Sequence, residues 1–105
     1  MATLHLQRLL CQVPEDAGTD EAYLVVNGVK IWGQKSISTG QGLAVNKQVN
    51  FINSVEIKLF DADGPFDNDD YLGTITVTSA LKGKGEQAGK FTEDGANYTL
   101  YYHVI

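Results

Sequence analysis

Cysteine occurs once in these 105 residues, at Cys11, and proline and histidine twice each. A lone cysteine excludes an internal disulfide. It fits a reducing compartment, and its strand-like neighbours make it a small core residue rather than a reactive thiol. His5 and His103 stand near opposite ends of the chain, with no metal-ligand spacing around them, so no transition-metal motif is legible. Long apolar runs are missing. The longest, around Tyr23-Leu24-Val25-Val26, is far short of the ~20 residues that a membrane-spanning helix needs. The opening Met1-Ala2-Thr3-Leu4-His5 has no basic region followed by an apolar stretch, so no cleaved signal is expected and the cytoplasm is the default location. Basic residues are scarce, 8 against 13 acidic ones, and only Lys82-Gly83-Lys84 cluster. The net charge of −5 argues against nucleic acid as a partner and against simple attraction to anionic lipid. Nor is there a nucleophile beside a base, or a phosphate-cradling glycine loop between a strand and a helix, so the reading is non-enzymatic.

Sustained helical periodicity is absent too, and what the chain does have reads as β throughout. Leu4 and Leu6 lie on one alternation and Leu9, Cys11 and Val13 on the other, which predicts a bulge near Arg8-Leu9. Asn27-Gly28 between Tyr23–Val26 and Val29–Trp32 is a two-residue hairpin signal, because this pair readily takes the positive φ angles of a type I′ turn. Residues 33–42 read as polar and turn-like. Val55, Ile57 and Leu59 alternate with Glu56 and Lys58; Gly73, Ile75 and Val77 share a face; Tyr98, Leu100, Tyr102 and Val104 share another. Residues 83–89 read as a flexible glycine-rich connection, followed by a short strand at Lys90-Phe91-Thr92 and a turn at Glu93-Asp94-Gly95. The expected fold is all-β: a single domain over residues 1–105, with seven or eight short strands in an antiparallel β-sandwich.

The acidic residues are unevenly spread. Nine of thirteen fall in two short segments, Glu15, Asp16, Asp20 and Glu21 in one and Asp61, Asp63, Asp67, Asp69 and Asp70 in the other. At an effective dielectric of about 20, two unit charges roughly 4 Å apart repel by about 4 kcal/mol, so such a loop is unstable unless solvated or neutralised by a cation. Ca²⁺, a hard ion taking six to eight oxygens, suits the composition. Asp61 and Asp63, alternate residues of an extended loop, project to the same side and can share one ion. An EF-hand is excluded by spacing: counted from Asp61, the sixth position is Phe66 rather than Gly and the twelfth is Leu72 rather than Glu.

Two stretches carry a family likeness. Val55-Glu56-Ile57-Lys58-Leu59-Phe60-Asp61-Ala62-Asp63, continuing to Asp70-Tyr71-Leu72-Gly73, resembles the strand, Asp-x-Asp loop and Asp-aromatic-aliphatic-Gly exit of the C2 domain family. The segment from Glu15 to Val25, in which an acidic residue, a Gly and Asp20 lead into Tyr23, is similar to that family's first calcium loop. The resemblance implies a C2-like sandwich binding one or two Ca²⁺ ions through Asp61 and Asp63, Asp69 or Asp70, Asp20, and Asp16 or Glu15. It also implies a phospholipid membrane or a protein as partner. Phe66, beside Pro65 at the tip of the second loop, would be the apolar contact with membrane or partner. This chain departs from the family pattern in a shorter first loop, in Glu21-Ala22 where a Pro is usual, and in an Asn-Gly hairpin where a longer basic stretch is common. The alternative reading is a Ca²⁺-stabilised domain that works by self-association or protein contact, without membrane binding.

Overall fold

The computed structural model of the chain describes residues 1–64 and 68–105, and in it eight strands form two antiparallel four-stranded sheets. The strands are β1 (Ala2–Val13), β2 (Thr19–Val26), β3 (Val29–Ser38), β4 (Gly42–Phe51), β5 (Ser54–Asp61), β6 (Asp70–Thr78), β7 (Gln87–Phe91) and β8 (Asn97–Val104). One sheet has the order β4-β1-β8-β7 and the other β3-β2-β5-β6. The all-β sandwich is as expected, with the count at eight.

The alternation of apolar residues decides which side of each strand faces in. Val55, Ile57 and Leu59 from β5 meet Leu4, Leu6, Leu9 and Cys11 from β1 and Tyr98, Leu100, Tyr102 and Val104 from β8 in one buried core. Between β2 and β3, Val26 pairs with Val29 across Asn27 at φ 48° and Gly28 at φ 83°, the positive angles that a two-residue hairpin of matching twist demands. The bulge in β1 falls one residue earlier than expected. Leu6 faces Tyr102 and Arg8 faces Tyr101 on β8, leaving Gln7 as the extra residue, which lets Leu6 and Leu9 both point inward. A second register shift between Cys11 and Val13 leaves Val13 48% exposed, so it does not share the core face of Leu9 and Cys11.

Two segments read as irregular are edge strands. Residues 33–38 belong to β3, and only 39–41 turn. Gly33, Gln34, Lys35 and Ser36 are exposed, so a strand there needs no apolar alternation and leaves no period-2 signal. Likewise Gln87, Ala88 and Gly89 open β7 rather than extending the preceding connection. Gly89 is needed for packing: a Cβ there would lie 2.5 Å from Ile75 Cδ1 and 3.0 Å from its Cγ1, across the seam where β7 and β6 bring the two sheets together. Gly89→Ala is expected to lower stability by about 1–2 kcal/mol as Ile75 is pushed aside, seen as a lower urea midpoint at unchanged slope.

Antiparallel alternation fixes where the loops go. The connecting residues 14–18, 39–41, 62–64, 68–69 and 92–96 all lie at one end of the sandwich, because each connection joins a strand running toward that end to one running away. Backbone bonds tie them to neighbouring strands: Ala62 N donates to Glu21 O of β2 at 2.9 Å and Gly40 N to Cys11 O of β1 at 2.7 Å. Both acidic segments therefore share this end.

Candidate metal centre

Asp61, the last residue of β5, lies in register with Ala22 of β2 on one side and Asp70 of β6 on the other. Its carboxylate is drawn inward: the side chain is 1% exposed, Oδ1 accepts the Glu21 N–H at 2.7 Å, and Oδ2 is buried with no hydrogen-bond partner. A buried charge of this kind needs a donor, a proton or a cation.

The first loop is folded onto it by Asp20. That residue is fully buried, and its carboxylate accepts the Glu15 N–H at 2.8 Å, the Asp16 N–H at 2.9 Å and the hydroxyl of Tyr98. Two of these bonds hold residues 15–16, and the third ties Asp20 to β8. The result is a set of overlapping carboxylate groups, each supplying oxygens within 4.8 Å of one another: Glu15, Asp16, Asp20 and Asp61; Asp16, Asp61, Asp63 and Asp70; and Glu15, Asp70 and Asp94. Asp69 belongs to none of these. It braces the second loop instead, accepting the Tyr23 hydroxyl and, at 3.3 Å, the Asp63 N–H. Phe66, with Pro65 and Asp67, lies outside the described residues.

Asp94 is the member that sequence reading missed. Glu93-Asp94-Gly95 looks like an ordinary turn, and only the parity of the strands shows that the β7–β8 connection opens on the same end as the two acidic loops. Counting strand directions was the signal that could have found it.

The electrostatics follow from the crowding. Burial, then the contact with Asp16, pushes the Asp61 carboxyl from an ordinary 3.8 up to about 7, against the opposing effect of the Glu21 N–H. Sharing a proton with Asp16, then burial and the neighbouring Asp70, holds Glu15 well above the usual carboxylate range. The close approach of Glu15, then of Asp61, which take up the protons, holds Asp16 below it. Protons on Glu15 and Asp61 thus solve part of the charge problem that a cation would solve fully. The donor set is all carboxylate oxygen, and Asp61 Oδ2 and Glu15 Oε2 are buried without partners, which fits a hard ion such as Ca²⁺.

A pH dependence follows. Asp61 binds a proton more tightly in the folded chain than in the unfolded one, so its contribution to stability is full below its unfolded value and is lost as pH rises toward about 7. With chelator present, the chain is expected to melt at a higher temperature at about pH 5 than at about pH 7.5, and Ca²⁺ to restore the loss at the higher pH. A chelated melting point that rises over this interval would contradict the assignment.

Neither a protein-family model nor a curated protein sequence matches the chain. Solved structures do. A structure of a C2 domain matches at TM-score 0.64 and 16% identity, over 99% of this chain and 98% of that one. The C2A and C2B domains of extended synaptotagmin 2 match at TM-score 0.64 and 18% identity, over 98% of this chain and 39% of theirs. Human GIVD cytosolic phospholipase A2, in complex with an inhibitor and terbium chloride, matches at TM-score 0.61 and 12% identity, over 99% of this chain and 16% of the enzyme. At these identities the likeness is one of fold, and the chain has the fold of a C2 domain.

Proposed function

We propose that the chain is a Ca²⁺-binding module whose acidic end takes up one or two ions and, once they are bound, docks on a phospholipid surface. The observation that carries this reading is Asp61 Oδ2, a buried carboxylate oxygen with no partner at the point where the carboxylate groups overlap. Asp61, Asp63, Asp16 and Asp70 would hold one ion; Glu15 and Asp20, sharing Asp16 and Asp61 with that set, would complete a second. Asp69 steadies the loop through Tyr23 rather than reaching the ion. Bound Ca²⁺ would replace protons on Glu15 and Asp61 and cancel much of the negative potential at that end, which otherwise repels anionic lipid. The C2 fold supports the reading, since one solved structure that shares it is of an extended synaptotagmin and another of a cytosolic phospholipase A2.

A second reading has its own support. Asp94 brings a third connection to the cluster, so an ion there ties three loops together and would serve as a staple for a domain that works through protein contacts. Pelleting with anionic and with neutral vesicles separates the two. Sedimentation with anionic vesicles only when Ca²⁺ is present supports docking; Ca²⁺-dependent melting without any vesicle binding supports the staple.

A further inference from the structure

The two histidines, at opposite ends of the sequence, are direct neighbours in the fold. His5 on β1 is in register with His103 on β8, and their rings stack with centroids 4.6 Å apart and planes 19° apart. Both are half-buried on the outer face of the β4-β1-β8-β7 sheet. The β1 bulge places Gln7 next to them. Opposite it β4 also departs from regular geometry: Val45 and Asn46 together span the single residue Gln7, and Asn46 sits at φ 51°. These irregular strands border an open surface cavity of about 290 Å³ whose lining includes His5, Gln7, His103, Asn46, Lys47 and Gln48.

Four buried side-chain atoms lack a hydrogen-bond partner among the described residues. Two belong to the acidic end; the other two, His5 Nε2 and Gln7 Oε1, belong to residues lining this one cavity. A neutral imidazole protonated at Nδ1 offers a lone pair at Nε2, and an amide oxygen offers another. Two unpartnered acceptors on one cavity, beside a stacked pair of imidazoles, make a donor set that a cation can satisfy. We propose that His5, His103 and Gln7 form a metal site separate from the acidic end, for a transition-metal cation of the Zn²⁺ or Cu²⁺ type.

The donor chemistry selects that class. Imidazole nitrogen suits Zn²⁺ and Cu²⁺, whereas Ca²⁺ takes oxygen donors, and no carboxylate lines this cavity. Nitrogen from His5, nitrogen from His103 and the Gln7 amide oxygen supply three ligands, leaving a further position for water. Stacked rings do not aim both lone pairs at one point, so a rotation of one ring about its Cβ–Cγ bond accompanies binding. Lys47 is the one cationic side chain lining the cavity, and it opposes the ion.

The test uses the fact that these are the only two histidines in the chain. With excess Ca²⁺ present, Zn²⁺ is titrated while the imidazole resonances are followed by NMR, and Cu²⁺ binding is followed by its visible absorption. Both imidazole signals are expected to shift saturably together. His5→Asn and His103→Asn should each abolish saturable binding, Gln7→Leu should weaken it with both histidines intact, and Lys47→Met should tighten it. Imidazole signals that stay put under Zn²⁺, or Cu²⁺ absorption unchanged in a folded His5→Asn/His103→Asn double variant, would overturn the proposal. Neither result depends on whether the acidic end binds Ca²⁺.

Discussion

Asp61→Asn is expected to stabilise the metal-free chain and, in the same molecule, to weaken sharply its stabilisation by Ca²⁺. Asparagine keeps an oxygen to accept the Glu21 N–H, now at 2.7 Å from Asp61 Oδ1, and offers an amide in place of the unpartnered Oδ2. It also removes a buried charge among Glu15, Asp16, Asp20, Asp63 and Asp70. Relief of that burial and repulsion is expected to contribute about 1–3 kcal/mol at neutral pH in chelator, since each unit by which a pKa is displaced corresponds to about 1.4 kcal/mol. The loaded state responds in the opposite direction. For the unaltered chain, Ca²⁺ at about a hundred times its dissociation constant stabilises by about 2.7 kcal/mol, and most of this disappears when the central ligand loses its charge. Paired urea denaturation curves with chelator and with Ca²⁺ read both effects. A variant that is less stable in chelator yet gains as much from Ca²⁺ as the parent would place the ion elsewhere.

Asp20→Ala is expected to cost about 3–5 kcal/mol, a large part of the 5–15 kcal/mol typical of a small domain. The substitution leaves the Glu15 and Asp16 N–H groups and the Tyr98 hydroxyl without the acceptor that now holds all three. Tyr98 is itself fully buried, and burial first, then Asp20, holds its hydroxyl protonated far above the ordinary range, so it acts only as a donor here. Tyr98→Phe removes one bond while keeping the aromatic packing and the carboxylate, and should cost about 1–2 kcal/mol with Ca²⁺ binding retained. If Asp20→Ala melts close to the parent, the first loop is not held by this carboxylate.

Asp20 also shows how far the sequence can be read. Its membership of an acidic segment ahead of Tyr23 was visible, but its partner Tyr98 is 78 positions away on β8, and no local pattern announces a hydrogen bond of that range. Where burial is one-sided, the sequence was explicit. Alternation at Val55, Ile57 and Leu59, or at Tyr98, Leu100, Tyr102 and Val104, follows from having one face in the core, and Asn27-Gly28 follows from the φ angles of its turn. Where both faces of a strand meet solvent, as in Gly33–Ser36 of β3, alternation has no physical cause and the strand looked like a loop. Residues gathered by topology were the hardest to foresee. Asp94 reached the acidic end and His5 reached His103 through strand pairing alone, without any sequence motif.

The central claim is that the overlapping carboxylates around Asp61 bind Ca²⁺, and calorimetric titration of the metal-free chain tests it most directly. Saturable binding with a dissociation constant of about 10⁻⁶ to 10⁻³ M is predicted for the parent, with one or two ions bound, and none for Asp61→Asn/Asp63→Asn, which should still fold. No saturable heat in the parent, or the same isotherm in the double variant, would contradict it.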